Sequence, residues 1–321
     1  MIGLIFFDST AVSNTSNTAF LATAPTATFR VLAAVLCLLA GASASAASGK
    51  LLLTGGVSSI DGAAGGGLTP WAVIGSNATD GEVGTSAHIS RLRTQGYGLT
   101  TFGAALGVWD RFEISLARQR FDTGDTGTAL GAPGQKLQLD IVGLKLRVAG
   151  DAVLDSDTLM PQVAIGIESK RTDAGLLAPT LAALGADTRG TDVYLSATKL
   201  FLAQGLLVNA TLRSTRANQN GLLGFGGTAQ QKRKVKGEVS VAYLLNRQLA
   251  VGAEYRAKPD NLNPSILGAG LKEQAWSDVF VAWAPNKHLS LTLAWVDLGR
   301  VVPALAPKRQ TGAYLSTQIS F

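Results

Sequence analysis

Residues 311–321 read T-G-A-Y-L-S-T-Q-I-S-F, and this stretch decides the fold class. Taking every second residue from Thr311 to Phe321, most are apolar, and the residues between them are mostly polar or small. Because side chains alternate between the two faces of a strand, the pattern predicts a strand with one apolar and one polar face. A strand of this kind that ends the chain on an aromatic residue is typical of bacterial outer-membrane barrels. The sequence therefore predicts an all-β fold, an antiparallel transmembrane β-barrel of the outer membrane.

The N-terminal region predicts export. Arg30 precedes an apolar run over 31–40, and small residues ending Ala44-Ser45-Ala46 follow. This order of charge, apolar core and cleavage site is that of a secretory signal, so we expect cleavage after Ala46. The Ser/Thr/Ala-rich residues before Arg30 indicate an over-extended translation start. We predict a signal region over 1–46, a Gly-rich periplasmic lead-in over 47–65 and the barrel over 66–321.

Composition agrees with a barrel and excludes several chemistries. The chain is 46% hydrophobic and 16% charged, yet no apolar run reaches the roughly 20 residues of a spanning helix. Its hydrophobicity must therefore be spread over short alternating segments. Cys37, the single cysteine, lies in the signal core, so we expect the mature chain to have no disulfide and no thiolate ligand. The formal net charge is +6.

Alternating runs separated by turn residues predict about 12 barrel strands. The predicted strands span 66–76, 97–109, 112–121, 135–148, 159–171, 191–203, 205–216, 233–245, 249–258, 275–284, 288–298 and 311–321. Short turns alternate with longer loops, and outer-membrane barrels place the short turns in the periplasm. Both termini are therefore predicted on the periplasmic side.

Two of these runs make specific predictions about facing. In 234–245, Val235, Val239, Val241, Tyr243 and Leu245 share one parity and should face lipid. In 135–148 the apolar parity changes partway, which a β-bulge near Gly143 would explain. Aromatic residues beside the short turns are predicted to form a girdle at the membrane interface, with strand-end packing as the alternative. They are Trp109, Phe112, Tyr243, Trp283 and Phe321.

The polar parity of the strands predicts a charged lumen with twice as many basic as acidic side chains. The predicted pore-lining residues are Lys136, Asp140, Lys145, Arg147, Glu168, Lys170, Arg213, Lys236, Glu238, Glu254, Arg256 and Lys258. A narrow aqueous path with this lining would favour anions, and Arg147, Arg213 and Arg256 are the strongest candidates for selectivity. The alternative is that these charges pair across strands and close the interior.

Catalysis and metal binding are not predicted. His88 and His288 each precede a serine by two residues, a spacing that resembles the His-x-Ser pair of the outer-membrane phospholipase family. The leucines around His288 take the lipid face, which turns His288 and Ser290 inward, where lipid hydrolysis cannot use them. Two distant histidines make no ligand cluster, so no metal and no other cofactor is expected.

The Gly-rich stretch 55–71 lacks the Gly-Lys-Ser/Thr ending of a phosphate-binding loop, so no nucleotide role is predicted. It is either a flexible lead-in to the first strand or a partial plug of the lower mouth. The loop 172–190 contains Leu176, Leu177, Leu181 and Leu184 and is unusually apolar. We expect it to form a short helix that folds inward as a constriction or contacts a partner or lipid.

The predicted partners follow from the envelope location. Basic runs at Lys232-Arg233-Lys234 and Lys308-Arg309 could hold lipopolysaccharide phosphates at the outer rim, with a solvated rim as the alternative. The terminal strand ending in Phe321 is expected to engage the barrel-assembly machinery, and the barrel to contact outer-membrane lipid. No nucleic-acid partner is expected.

The segment 53–75, L-T-G-G-V-S-S-I-D-G-A-A-G-G-G-L-T-P-W-A-V-I-G, resembles the opening of a proteobacterial family known as domain of unknown function 3034. The resemblance continues through Trp109-Asp110-Arg111-Phe112 to Phe321. It implies an envelope barrel and carries no activity or site residues. The sequence as a whole predicts a porin-like passive channel for small hydrophilic solutes, anionic ones included; the alternative is a non-conducting structural or interaction barrel.

Overall fold

The chain forms a closed barrel of 12 antiparallel strands in a computed structural model that describes residues 50–152, 158–263 and 269–321. The predicted signal, its cleavage site and the over-extended start lie outside these residues. Within the described part of the chain, no helix is both long and apolar enough to cross a membrane. The predicted fold class and strand number are confirmed.

Two short strands precede the barrel and pair with each other: β1 (Val57–Ser58) and β2 (Ala64–Gly65). The barrel strands are β3 (Val83–Thr94), β4 (Gly98–Val108), β5 (Phe112–Asp122), β6 (Lys136–Ala149), β7 (Gln162–Asp173), β8 (Arg189–Phe201), β9 (Leu206–Thr215), β10 (Lys234–Leu244), β11 (Leu249–Arg256), β12 (Trp276–Asn286), β13 (Leu289–Asp297) and β14 (Thr311–Ser320). Each barrel strand pairs with its sequence neighbours, and β14 pairs with β3 to close the wall.

The barrel has a short-turn end and a loop end. Tight turns join β4 to β5, β8 to β9, β10 to β11 and β12 to β13 at the short-turn end. The loops after β5, β7, β9, β11 and β13 lie at the opposite, loop end and contain the short helices. These helices are Gly124–Ala129 and Ala178–Ala183, with 3-10 turns at Gly175–Leu177, Asn218–Gly221 and Ala269–Leu271; a further 3-10 turn, Leu202–Gln204, is at the short-turn end. Both ends of the wall, Val83 and Ser320, lie at the short-turn end.

Strand alternation gives the barrel an apolar exterior. In β10, Val235, Val239, Val241 and Tyr243 are between 45% and 66% exposed, whereas Glu238 and Ser240 between them are buried. In β14, Leu315 and Ile319 are exposed and Tyr314, Ser316 and Gln318 are buried. An exterior of exposed aliphatic side chains around a buried polar interior is the pattern of a membrane barrel.

The predicted first strand was wrong. Residues 66–76 are not part of the wall; the wall begins with β3, in a region where the sequence predicted a loop, so the barrel starts at Val83 rather than at residue 66. Residues 57–76 are all buried inside the barrel. The outward face of β3 carries Thr85, Ala87, Arg91 and Arg93, which weakens the apolar alternation that identifies a lipid-facing strand.

The predicted bulge at Gly143 was also wrong. The register of β6 with β7 is regular from Gln138 to Arg147 and shifts only between Arg147 and Ala149. Leu137, Leu139 and Ile141 therefore share the inward face with Lys145, and each is 0% exposed. The apolar residues change parity along the sequence because the barrel interior is apolar near the loop end and polar towards the short-turn end.

The apolar interior at the loop end is completed by the loop after β9. Phe225 is 0% exposed and Leu222 is 1% exposed, and both belong to the core that contains Leu137, Leu139 and Ile141. Space for a side chain is so limited here that a Cβ at Gly190 would lie 2.1 Å from the Phe225 ring. The loop end is therefore packed shut by its own loops.

Replacing Phe225 by alanine should destabilise the barrel by about 3 to 5 kcal/mol, because the change leaves a cavity in a filled core. The measurement is the denaturant midpoint of the folded barrel in detergent. Phe112→Ala, which truncates a ring that is 42% exposed on the outer wall, is the matched control and should change the midpoint much less. Equal losses in the two variants would contradict an apolar closure at the loop end.

Candidate functional site in the barrel interior

The barrel interior is occupied by the chain's own residues 57–76, here called the plug. The plug makes the β1–β2 hairpin and then crosses the lumen as irregular chain, and all of its residues are buried. Irregular backbone has few partners of its own, and buried N–H and C=O groups must be hydrogen-bonded. The partners are supplied by polar side chains that the wall strands direct inward.

Glu254 of β11 holds the middle of the plug. Its carboxylate accepts hydrogen bonds from the backbone N–H of Leu68 (2.7 Å) and from the N–H and hydroxyl of Thr69 (3.2 and 2.7 Å). Ser240 of β10 donates to the same carboxylate at 2.7 Å and accepts from the Trp71 indole at 3.0 Å. A buried carboxylate with several donors is stabilised without a cation.

Glu113 of β5 and Lys145 of β6 hold two points of the plug together. Glu113 accepts from the N–H of Ala64 at 3.1 Å and of Gly75 at 2.7 Å. Lys145 donates to the carbonyls of Ala64 at 3.0 Å and Val73 at 2.9 Å, and it lies 3.1 Å from Glu113. One buried ion pair therefore clamps the hairpin to the segment that leaves the lumen.

The next three strands of the wall, β7 to β9, hold the turn around Pro70. Thr211 of β9 donates to the Pro70 carbonyl at 2.9 Å. The N–H of Ala72 donates to Thr198 of β8 at 2.8 Å, and Gln162 of β7 donates to the Ala72 carbonyl at 2.8 Å. Together with the other contacts, these bonds tie the plug to strands on both sides of the barrel.

Asp61 of the plug lies in a buried charge network. Arg256 of β11 donates to its carboxylate at 2.7 Å, and Gln119 of β5 donates at 3.3 Å. Lys170 of β7 and Arg213 of β9 lie 3.7 and 3.8 Å from it. The plug thus places one carboxylate among three cations from three different strands.

The same cations are paired with wall carboxylates. Arg213 donates to Glu238 and to Glu168, both at 2.5 Å. Lys170 lies 3.0 Å from Asp192, and Arg256 lies 3.2 Å from Glu238. Removing one member of such a buried network leaves an uncompensated charge. This loss destabilises the protein much more than the intact pair stabilises it.

The pKa of Asp61 reflects these neighbours. Burial alone would raise it, but attraction to Lys170, Arg256 and Arg213 outweighs burial and lowers the pKa below the ordinary value of an aspartate. Asp61 is therefore ionised throughout the physiological range, so this one contact between plug and wall joins opposite charges.

Glycine allows the plug to fit. A Cβ at Gly66 would lie 2.4 Å from the Glu254 carboxylate, so a side chain there would displace the contact that holds Leu68 and Thr69. Gly62 has a φ of 94°, in the left-handed region that favours glycine, and its backbone lies against Ala117 of β5. The Gly-rich sequence of this segment follows from its close approach to the wall.

A second contact joins the loop end to the interior. Lys258, which follows β11, donates to the side chain of Gln219 and lies 4.6 Å from the Trp276 ring. Glu273 lies 3.7 Å from Lys258 and accepts from the Gln219 N–H at 2.9 Å. Burial lowers the pKa of Lys258 to about 7 and raises the pKa of Glu273 to about 7. The loop after β9 is therefore held, through Gln219, by a buried Lys–Glu pair.

Most of the charged residues predicted to face inward do so. The residues that lie buried inside the barrel are Lys145, Glu168, Lys170, Arg213, Glu238, Glu254, Arg256 and Lys258. Arg147 lies at the short-turn end, 2.8 Å from Asp110, and Lys236 is partly exposed on the inward face of β10. Whether any of these residues lines a conducting path stays a prediction.

The inward prediction was wrong for Lys136 and Asp140. Both lie on the outward parity of β6, because the register continues without the expected bulge. Asp140 instead pairs with Arg118 of β5 at 2.5 Å on that face. The sequence analysis also missed four acidic residues of the interior, Asp61, Glu113, Asp192 and Asp278. Strand parity could have identified Glu113, Asp192 and Asp278, whereas nothing local identifies Asp61.

The structure supports the plug alternative for the Gly-rich stretch over the flexible lead-in. Space does remain at the short-turn mouth, where a cavity of ≈ 990 Å³ is lined in part by Arg111, Arg147 and Val73. Val73 belongs to the plug, so this cavity ends against the plug.

The five predicted girdle aromatics all lie on the exterior at the short-turn end. They are 53% (Trp109), 42% (Phe112), 48% (Tyr243), 45% (Trp283) and 51% (Phe321) exposed. Trp109 and Phe112 contact each other edge to face, with ring centroids 6.5 Å apart. Contact with lipid headgroups stays a prediction.

The histidines do not form His–Ser pairs in the described structure. His88 lies on the inward face of β3, and its ring nitrogens make no hydrogen bond to a described residue. The Nδ1 of His288 lies 2.8 Å from the Ser320 carbonyl, and its ring lies against Phe321. Among the described residues, no group of His, Cys, Asp and Glu could hold a metal ion.

The loop 172–190 and the basic runs lie at the loop end. As expected, the loop forms a short helix, and Leu177 and Leu184 fold inward into the core, whereas Leu176 is 70% exposed. Arg233 donates to the Thr191 carbonyl, and Arg309 pairs with Asp297 at 2.5 Å. Lipopolysaccharide contact at these runs stays a prediction.

These features define a class: a closed membrane-type β-barrel whose lumen holds a plug from the same chain. The chain belongs to the family described as protein of unknown function (DUF3034), which it matches over residues 54–318. The matched region begins within the segment that leads into the plug and ends in β14. No curated protein is a significant match to the chain.

Several solved structures share the barrel architecture at low identity. The KdgM porin in complex with disordered oligogalacturonate is 10% identical, with 74% of this chain and 99% of that chain covered and a TM-score of 0.47. The NanC porin is 9% identical, with 73% and 98% covered and a TM-score of 0.48. The outer membrane phospholipase dimer of Salmonella typhi is 9% identical, with 73% and 90% covered and a TM-score of 0.39. Likenesses this distant assign no activity to this chain.

Replacing Asp61 by asparagine should weaken the docking of the plug by about 3 kcal/mol or more, because Arg256 loses its nearest plug carboxylate in a buried site. Limited proteolysis of the folded barrel should then cut within residues 57–76 much faster than in the unmodified protein. The control is Asp80→Asn, which neutralises an exposed carboxylate just beyond the plug and should leave the cleavage rate unchanged. Equal rates in D61N and the unmodified protein would contradict the anchor.

The same anchor predicts a pH dependence. Because the pKa of Asp61 is lowered in the folded protein, its stabilisation is complete above the ordinary aspartate pKa of about 3.9 and is lost as the pH falls through the lower, folded value. Protection of the plug should persist at pH 5 and decrease only in stronger acid. Hydrogen exchange of the plug amides measures this, and D61N should lack this acid transition.

Proposed function

We propose that this protein is a bacterial outer-membrane barrel that reaches the envelope through a cleaved signal peptide and is closed at rest by its own plug. Small hydrophilic solutes then pass only when the plug moves out of the lumen and the loops that fill the loop end move with it. The observation that carries the proposal is that residues 57–76 fill the interior and are held there by polar side chains of the wall. The proposal includes no catalytic step.

The nature of the contacts supports a plug that moves. Plug and wall meet through many hydrogen bonds and charges, and the polar wall groups involved are ones that water can also solvate. Ile60, Leu68, Trp71 and Val73 of the plug add apolar contacts to the core. Once the plug leaves, the part of the lumen lined by Ser, Thr, Glu, Lys and Arg side chains would fill with water. An apolar contact surface of the same size would instead resist hydration and favour permanent closure.

The structure weakens the expected anion preference. The inward face gains Glu113, Asp192 and Asp278 and loses Asp140 on the acidic side, and it loses Lys136 on the basic side, so the predicted eight basic and four acidic side chains become seven and six. Most of the basic excess on which that expectation rested is therefore gone. We therefore propose passage of small hydrophilic solutes without a strong choice of charge.

Single-channel recording in a planar bilayer tests the proposal. The unmodified mature barrel should be silent at low voltage, and the D61N barrel should open in discrete steps because its plug is held less tightly. Asp80→Asn serves as the control and should stay silent. Steady conductance of the unmodified protein would contradict closure at rest.

A reversible lock distinguishes plug movement from deformation of the wall. The hydroxyls of Thr69 in the plug and Ser240 in β10 lie 2.5 Å apart, so Thr69→Cys with Ser240→Cys places two thiols within disulfide reach. In the D61N background, this pair should conduct when reduced and be silent when oxidised. A folded D61N barrel that is silent in both states would instead favour the second candidate, a non-conducting structural barrel, which the paired charges and the packed loop end also support.

A further inference from the structure

The outward face of β3 to β6 carries a group of basic side chains close to the loop end. Arg91 and Arg93 of β3, Arg120 of β5 and Lys136 of β6 are all exposed. In the sheet, Arg91 is in register with Thr100 of β4, and Thr100 with Arg120. Arg93, Gly98, Asp122 and Lys136 form the next row towards the loops. Two adjacent rows of the wall thus bring four cations to one patch of the exterior, here called the basic patch.

The cations of the basic patch have no ion-pair partner among the described residues, unlike the cations inside the barrel. Lys145, Lys170, Arg213 and Arg256 each lie within 4.0 Å of a carboxylate oxygen. Asp122 shares a row with Arg93 and Lys136, but its carboxylate accepts the Gly124 N–H at 3.1 Å. A positive surface of this kind is complementary to an anion from outside the chain.

The basic patch surrounds a depression. Its floor is β4, where Gly98 and Thr100 supply only small side chains between the longer residues of β3 and β5. The depression has a volume of ≈ 400 Å³, and Arg91, Arg93, Arg120 and Lys136 are among its lining residues.

The exterior becomes apolar immediately below the basic patch, towards the middle of the wall. Ile89 of β3 is 59% exposed and Leu315 of β14 is 54% exposed. The Arg120 guanidinium lies 5.6 Å from the centroid of the Phe102 ring, which connects the charged and apolar parts. A ligand that fits both parts has an anionic headgroup and hydrocarbon chains.

We propose that the basic patch binds a lipid with a phosphorylated headgroup from the leaflet at the loop end of the barrel. Arginine guanidinium groups bind phosphate oxygens through paired hydrogen bonds, and long basic side chains at the headgroup level keep their charge in the polar layer. The lipid chains lie along Ile89, Phe102 and Leu315. This site rests on the membrane location in the proposed function and is independent of the plug. It is separate from the basic runs at Lys232-Arg233-Lys234 and Lys308-Arg309.

Native mass spectrometry of the mature barrel in detergent micelles tests the site, with lipid A carrying both phosphates as the probe. The variant Arg91→Gln/Arg93→Gln/Arg120→Gln should bind the probe about tenfold or more weakly, since each cation near an anionic headgroup adds to binding. The matched control is Arg111→Gln/Arg247→Gln/Arg300→Gln, which removes three exposed arginines elsewhere and should bind as the unmodified barrel does. Circular dichroism checks that both variants remain folded.

Two further probes identify the chemistry of the ligand. The same lipid without phosphates should bind the unmodified barrel as weakly as the phosphorylated lipid binds the triple variant. Inorganic phosphate at millimolar concentration should not displace the lipid, because it lacks the chains. Equal binding by the two triple variants, equal binding of the two lipids, or displacement by free phosphate would each overturn the proposal. A failure of this kind leaves the recordings on the plug unaffected, so the two proposals fail separately.

Discussion

The structure depends on one requirement, that the backbone of a buried irregular segment must find hydrogen-bond partners. Residues 57–76 have little secondary structure of their own, apart from the short β1–β2 hairpin, and lie in a lumen that excludes most water. Wall side chains such as Glu254, Glu113, Lys145 and Thr211 supply the missing donors and acceptors. The polar interior of this barrel is therefore shaped to the path of one segment, and the inward faces of β5 to β11 and of β14 carry side chains that the plug uses.

Charge burial has a different role from backbone pairing. A network of Lys170, Arg213, Arg256 and four carboxylates inside a barrel is expensive to desolvate and contributes little net stability compared with apolar packing. Its effect is on specificity: the cations accept Asp61 in one position, and a shifted plug would leave them under-compensated. Such a contact fixes where the plug sits while leaving a lumen wall that water can occupy.

The sequence predicted the wall better than its contents, for physical reasons. Lipid imposes a strict alternation, so β10 and β14 could be assigned with the correct facing from 234–245 and 311–321 alone. The lumen imposes no such period, because it is apolar around Leu139 and Ile141 and charged around Lys145.

This change from apolar to charged inward residues produced the wrong prediction of a bulge, and the dense apolar residues of 66–76 produced the wrong prediction of a strand. β3 was not predicted as a strand because Arg91 and Arg93 face outward and interrupt its apolar face. Asp61 could not be found, since its partners come from strands far away in the chain.

The closure of the barrel joins β14 to β3, and the plug lies just behind that seam. The Ser58 N–H donates to Gln318 of β14, while the plug's other partners are spread from β5 to β11. A segment that touches both the last strand and the middle of the wall cannot be fully bound until the first and last strands meet. It also precedes every wall strand in the chain and is made first. Only a sheet with all its strands in register offers the plug a full set of partners. Tight docking of the plug would therefore distinguish a correctly closed barrel from an incomplete one during assembly.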